Sequence, residues 1–316
     1  MIDRQLKFGI IGLGPVGQTL AVHLKAANCE VAITDYDSNK LALIRKTGIE
    51  LVDKIEKQAY FRHVYSSIQE LFDHDFDVLI SAVKGYHIES ILEQIRLSAP
   101  KDIYVLVAQN GLGIRQKYLE QFDESKIIRM VVNFAGNLHS PSVTSVSFFN
   151  MPNYIGSMDD SHPEIASQIA SLFSGVGLMT EKVESFDVIN KLWEKMIINV
   201  ALSPLCAISN LTMKEAMDLP DTMEIVDQVV SEAIEVAKAE GIKLPDDFKN
   251  FCIQYLENAG NHLPSLAVDL INKKETEIDF MNGKIVEYGR KHHIKTPLNL
   301  TLTDLVKSIS SKNKKT

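Results

Sequence analysis

Two stretches of this 316-residue chain hold side chains at spacings that can do chemistry. The first is Gly12-Leu13-Gly14-Pro15-Val16-Gly17, followed by Asp35 about twenty residues on. Glycine at 12 permits a tight turn, glycine at 14 lets backbone approach a pyrophosphate, and glycine at 17 lets a helix and a strand pack closely. An acidic residue in the position of Asp35 can accept hydrogen bonds from ribose hydroxyls. The second stretch is Lys191, Lys195, Asn199 and Ser203, which recur every four residues among apolar neighbours. On a helix that spacing makes one polar stripe. A buried cation without a partner is costly or neutralises. The stripe therefore either faces a polar ligand or marks a boundary helix whose lysines snorkel to water. From this helix alone both readings stand, and Lys191 is assigned to the second.

To act, these residues need rigid elements beneath them. The apolar run 7–11 enters the glycine turn, and Val16, Leu20, Ala21, Leu24 and Ala27 follow at helical spacing. A second apolar run, 30–34, ends at Asp35. Strand, glycine turn, helix and strand together are the context in which this glycine pattern signifies a dinucleotide. The helix start then offers N–H groups and partial positive charge to phosphates. Beyond it the patterns predict a helix over 39–47, a weak strand at 50–52, a buried strand at 77–83 and a helix to about 98. Strands at 103–108 and 127–132 follow, the first leading into a further helix. This alternation predicts an α/β fold, an N-terminal Rossmann doubly wound parallel sheet. Ligands sit beyond the carboxyl ends of such strands, where Lys84, Asn110 and 133–135 fall.

From 143 to 183 the signal is mixed, with one or two antiparallel strands and a helix at 163–173. After Glu184 only helical patterns remain, at 188–208, 221–240, 246–258, 264–272, 277–292 and 298–311, punctuated by proline and glycine. The expected organisation is a dinucleotide-binding domain over 1–184 and a C-terminal all-α substrate and catalytic domain over 185–316.

Bulk properties narrow the function. The length suits two domains, and 45% hydrophobic with 23% charged residues is ordinary globular composition. A net charge of -8 argues against a nucleic-acid partner, which needs a basic surface. Lys307, Lys312, Lys314 and Lys315 lie at a serine-rich chain end and read as a solvated tail. Three widely spaced cysteines, Cys29, Cys206 and Cys252, suggest a reducing compartment and no zinc site. Met1-Ile2-Asp3-Arg4 leads at once into the first strand, and no uncharged apolar run has the length of a membrane span. The expectation is a cytoplasmic protein without a membrane partner. His139, His162, His262, His292 and His293 show no metal-ligand spacing beside carboxylates, so no metal is expected. Oligomeric state is not written in the chain, and a homodimer is among the assemblies it allows.

Over nearly its whole length the chain resembles the ketopantoate reductase (2-dehydropantoate 2-reductase) family. The resemblance is carried by Gly12 to Gly17, Ser81-Ala82-Val83-Lys84, Gln109-Asn110-Gly111, Lys195-Met196-Ile197-Ile198-Asn199 with Pro204-Leu205, Ser265 with Asp269, and Thr276-Glu277-Ile278-Asp279-Phe280-Met281-Asn282-Gly283. It implies nicotinamide-dependent reduction of a small 2-oxo acid to a 2-hydroxy acid in a cleft between the two domains. By the same resemblance Lys195 is the catalytic lysine that donates a proton to the ketone oxygen, and Glu277 is shared by cofactor and substrate. Asn199 and Ser265 hold substrate, with Ser203 beside them. Lys84 and Asn110 lie near the nicotinamide, and Ala135 makes a backbone contact to the cofactor. The chemistry is sensible from below: hydride attack leaves negative charge on oxygen, and an ammonium there stabilises the transition state more than the neutral ketone.

Three positions depart from the family's pattern. Ser203 stands where a second asparagine is usual, His262 where asparagine is often found, and Tyr36 where an arginine commonly holds the 2′-phosphate of NADP. NAD(H) is therefore expected to be favoured over NADP(H). Two like charges about 4 Å apart repel by ~1 kcal/mol in water and ~4 kcal/mol at a protein surface, and only Lys40, reaching back from the next helix, would soften this. An NAD-dependent D-2-hydroxyacid dehydrogenase of the same family, acting on branched or aromatic 2-oxo acids, is the alternative that Ser203 and Tyr36 favour. A β-hydroxyacid or glycerol-3-phosphate dehydrogenase is disfavoured by the 276–283 segment. A nucleotide-sensing module would have no use for Lys195 and Glu277.

Overall fold

The computed structural model describes residues 5–98, 100 and 102–313. Residues 1–4 and the tail lysines Lys314 and Lys315 lie outside them. The chain divides into two compact units, Met1–Asn110 with Ile114–Val188, and Gly111–Gly113 with Ile189–Thr316.

In the first unit the strands are β1 (Phe8–Ile11), β2 (Val31–Thr34), β3 (Ile49–Asp53), β4 (Lys57–Ala59), β5 (His63–Tyr65), β6 (Val78–Ser81), β7 (Tyr104–Val107), β8 (Ile127–Val131), β9 (Phe134–Ser140), β10 (Val143–Phe149), β11 (Asn153–Ser157) and β12 (Thr180–Lys182). Its helices are α1 (Pro15–Ala26), α2 (Ser38–Thr47), α3 (Ile68–Phe72), α4 (Ile88–Ser98), α5 (Ile114–Leu119) and α6 (Pro163–Ser174). Eight strands form one sheet in the order β12-β11-β8-β7-β6-β1-β2-β5. Its pairings are parallel except where β11 meets β8. Chain order reverses at β1, as a doubly wound sheet requires. β1, β2, β6 and β8 are buried along their whole length, so they read as continuous apolar runs rather than alternating ones.

A second sheet, β4-β3-β10-β9, is the feature sequence patterning did not foresee. α1 packs against strands of both sheets. That explains why Gln18 and Thr19 on its far side are as buried as Leu20 and Leu24. Gln18 is satisfied there: its amide donates to Leu13 O and Pro141 O and accepts from the Thr144 hydroxyl.

The second unit is helical: most of α7 (Ser185–Ser209), then α8 (Met213–Asp218), α9 (Pro220–Ala239), α10 (Phe248–Glu257), α11 (Ser265–Ile271), α12 (Asn282–Lys291) and α13 (Pro297–Asn313). α7 is long and apolar enough to cross a membrane by length and composition, yet most of its apolar stretch is buried. Trp193, Met196, Ile197, Val200 and Ala201 join a core with Val229, Val230, Ala233, Leu266 and Ile285. α8 was not expected, although its capping box was visible in the sequence: Thr212 accepts from Glu215 N, and the Glu215 carboxylate accepts from Thr212 N.

The expected helix over 277–292 is interrupted. Glu277 precedes a 3₁₀ turn, Ile278–Phe280, and Met281 at φ -114° and ψ -110° redirects the chain before α12 begins. The reason lies in α7. Pro204 has no N–H to give the carbonyl of Val200 four residues earlier. The buried Asn282 amide takes its place, donating to Val200 O at 2.9 Å and to Asn299 Oδ1 at 3.0 Å. Asn299 donates in turn to Glu232, whose carboxylate also accepts from the Leu298 and Asn299 N–H groups at the start of α13. One polar chain thus joins α7, α12, α13 and α9 inside an apolar core. Asn282→Ala would strand the Val200 carbonyl and the Asn299 amide oxygen. The expected loss is about 1–3 kcal/mol, read as a lower urea midpoint; an unchanged midpoint would contradict this account.

Candidate active site

The glycine turn is built by three different steric demands. Gly12 has φ +93°, and a Cβ there would meet Val83 Cγ1 at 2.8 Å and Val83 N at 2.9 Å. A Cβ on Gly17 would lie 1.9 Å from the Gly12 carbonyl oxygen, so the first turn of α1 rests directly on the turn's backbone. Gly14 is the opposite case, with nothing within 4 Å of its Cβ position. It is the N-cap of α1, makes no side-chain cap, and is followed by Pro15. An uncapped helix start beside a glycine that faces open space is a cradle for an anion such as a pyrophosphate.

Asp35 follows β2 and is buried. Its Oδ2 accepts from Leu13 N at 2.6 Å and pairs with Lys40 Nζ at 3.1 Å, and its Oδ1 accepts from Asp37 N at 3.0 Å. The carboxylate therefore pins the glycine turn to the start of α2. Capping α2 falls to Asp37, which accepts from Asn39 N and Lys40 N. Lys40 reaches back as the sequence allowed. A carboxylate has about four acceptor positions, and three of those of Asp35 are used. Tyr36 is 89% exposed beside it.

The ends of the central strands are stitched together: Gly12 N donates to Thr34 O, Ala82 N to Ile11 O and Ala108 N to Ser81 O. Lys84 and Asn110 each lie two residues past such a bond, at the carboxyl edge that carries the glycine turn, and both are half-buried. Residues 133–135 follow the carboxyl end of β8 as expected, and Ala135 is exposed near the start of β9. The chain turns into the second sheet at Phe134, where β9 pairs with β10.

Sequence reasoning missed what supports this edge. Arg129 is buried, and its guanidinium donates to Val107 O and Gln109 O. The Gln109 amide donates to Ser81 Oγ and to the Tyr118 hydroxyl, which itself donates to Ser81 Oγ. Burial pushes the Tyr118 phenol up to about 12 and the Arg129 guanidinium down to about 10. At neutral pH the first is therefore a donor and the second a cation. The backbone just before Asn110 is held from both sides.

In the second unit α7 presents the polar stripe. Lys191 pairs with Glu194 at 2.8 Å, which suits the boundary role assigned to it. Lys195 and Asn199 are half-buried and Ser203 is buried, so the stripe runs from the helix edge into the core. Ser265 is the first residue of α11 and exposed. Glu277 is half-buried just ahead of the 3₁₀ turn, outside the helix in which it was expected.

A doubly wound sheet with an open glycine cradle, continued by a helical unit with a lysine-bearing core helix, defines a nicotinamide-dependent oxidoreductase of the Rossmann class. The chain belongs to the ketopantoate reductase PanE/ApbA family, whose family model matches residues 8–160 and whose C-terminal model matches 187–310. A 2-dehydropantoate 2-reductase of Pyrococcus horikoshii is 30% identical over 74% of this chain and 76% of its own. The PanE/ApbA family ketopantoate reductase of Ralstonia eutropha JMP134 superposes with a TM-score of 0.88 at 27% identity, covering 98% of this chain and 100% of that one. The fold is also that of a D-mandelate dehydrogenase in ternary complex with NADH and anilino(oxo)acetate, at TM-score 0.88, 24% identity and 98% and 99% coverage.

The glycines allow stability and ligand binding to be separated. Gly17→Ala should cost about 1–3 kcal/mol or more in folding, because backbone cannot move aside cheaply. Gly14→Ala should leave stability within ~0.5 kcal/mol yet weaken NADH binding about tenfold or more by fluorescence titration. Undiminished binding by the Gly14 variant would show that no phosphate approaches there.

Proposed function

We propose that the chain reduces 2-dehydropantoate, a 2-oxo acid, to its 2-hydroxy acid. The observation that carries this is the Lys195, Asn199 and Ser203 stripe on a core helix of a chain that family models match along both halves. The cofactor's pyrophosphate lies on Gly12, Leu13, Gly14, Pro15, Val16 and Gly17, its ribose on Asp35, and its remaining contacts come from Lys84, Asn110 and Ala135. Bound there, the dinucleotide supplies a hydride. Lys195 gives its ammonium proton to the ketone oxygen as charge develops on it. Glu277 orients that ammonium and accepts a hydrogen bond from a substrate hydroxyl. Asn199, Ser203 and Ser265 hold the substrate's polar groups, so its carbonyl carbon is presented in one orientation.

A second reading has its own observation. Ser203 is buried and shorter than the asparagine usual in the family, a departure that favours a D-2-hydroxyacid dehydrogenase acting on branched or aromatic 2-oxo acids. Rates against a panel of 2-oxo acids that includes ketopantoate decide between the two. In either case Lys195→Ala should lower kcat by ~10²-fold or more, with folding checked by circular dichroism. Near wild-type turnover would refute the assignment.

For the coenzyme we propose NADH over NADPH. Tyr36 brings no guanidinium, and Lys40 is already committed to Asp35 within a buried pair. That pair cancels part of the repulsion Asp35 would exert on a 2′-phosphate, but supplies no new bond to it. A hydrogen bond to a charged group contributes roughly 1.5–3 kcal/mol, so its absence should favour NADH by about tenfold or more in kcat/KM. Asp35→Ser with Tyr36→Arg should reduce or reverse the ratio. Equal use of NADPH by the unaltered protein would overturn the proposal.

A further inference from the structure

We propose that Glu30, His63 and His74 form a binding site for one divalent transition cation of the zinc class, at the end of the Rossmann sheet opposite the glycine turn. Three separate segments converge there. Glu30 immediately precedes β2, and its carbonyl accepts from Phe8 N. His63 opens the edge strand β5, which pairs with β2 through Ala32. His74 follows α3, its N–H bonded to Leu71 O. All of this lies at the amino ends of parallel strands, whereas the cofactor cradle lies at their carboxyl ends.

One carboxylate oxygen and one ring nitrogen from each histidine lie within 4.8 Å of one another. His74 Nε2 and Glu30 Oε1 are 3.0 Å apart. Yet the buried His74 Nε2 makes no aligned hydrogen bond. A ring nitrogen and a carboxylate oxygen this near each other, with no aligned hydrogen bond between them, are donors that one ion could share. With ion-to-ligand distances of about 2.0–2.2 Å in a tetrahedral site, neighbouring ligands sit about 3.3–3.6 Å apart, a separation these side chains reach with small rotations. The two imidazoles face each other, their centroids 4.3 Å apart and tilted by 34°. The Glu30 side chain is 42% exposed, so it can close the remaining gap without disturbing the core.

The chemistry of the donors sets the class of ion. Two imidazoles and a carboxylate suit zinc, nickel or copper, whereas magnesium and calcium take oxygen ligands. The surrounding charges oppose a cation in part. Lys7 Nζ is 4.0 Å from Glu30 and 3.1 Å from Asp75, and Lys25 and Arg62 also act on His63. Tyr65 closes the site on one side against both imidazoles. These features describe a three-ligand site with an open position and moderate affinity. Its effect would be mechanical, since the ion would tie the three-residue edge strand β5 to β2 and to the loop after α3.

The test is titration of ZnCl₂ into the full chain by isothermal calorimetry, with MgCl₂ as control and melting followed in parallel. The expected result is one equivalent of zinc bound, no magnesium, and a higher Tm with zinc. His63→Ala and His74→Gln should each weaken zinc at least tenfold and abolish the Tm rise. Glu30→Gln, at an exposed position, keeps the test valid should a histidine variant fail to fold. Zinc binding that is absent, or unchanged in folded variants, overturns the proposal.

Discussion

The glycine turn of the first unit depends on one buried carboxylate. Asp35 accepts a hydrogen bond from the glycine turn, another from the backbone entering α2, and an ion pair from Lys40. An ionised group taken from water is costly unless it is paired and hydrogen-bonded, and here three donors converge on it. The same bonds fix the turn's path, so that Gly17 can lie against the Gly12 carbonyl and Gly14 can face open space. Beside the role we propose for it toward the coenzyme, Asp35 is thus a structural clamp. Its role cannot be reduced to a ribose acceptor.

The helical unit solves a comparable problem. Pro204 falls inside a core helix and would leave a buried carbonyl without a donor. The Asn282 amide supplies it, and Asn299 and Glu232 continue the network to the start of α13. Such networks rigidify a core when their members are satisfied, and here the Asn282 side-chain oxygen is buried without a hydrogen-bond partner. This one fixes the rotation of α7 in its core, and with it the direction of the stripe that holds Lys195, Asn199 and Ser203. Reactive groups on a rigid helix can be placed more accurately than groups on a loop.

Some features resisted prediction for definite reasons. β4 and β5 are three residues long, too short for a two-residue alternation to register. The segment after Glu277 carries helical periodicity on both sides of Met281, so nothing local reveals the break, beyond which Asn282 meets the Val200 carbonyl more than eighty residues away. Arg129 reads as a charged residue in an apolar strand, and only the sheet shows that it braces the Gln109 carbonyl beside Asn110. Glu30, His63 and His74 share no spacing at all, because three separate segments bring them together.

By itself the sequence determined whatever depends on neighbours along the chain: the strand, glycine turn and helix around Gly12 to Gly17, the alternation of strands and helices that follows, the change to helices after Glu184, and the four-residue recurrence that ends at Ser203. These follow from steric limits on φ and ψ and from the period of apolar residues, both local quantities. Tertiary structure decided which polar groups are spoken for. That Lys40 neutralises Asp35, that Asp37 rather than Asp35 caps α2, and that Asn282 completes α7 are outcomes of burial. A hydrogen-bonding group removed from water must find a partner wherever the fold brings one, however distant in the chain.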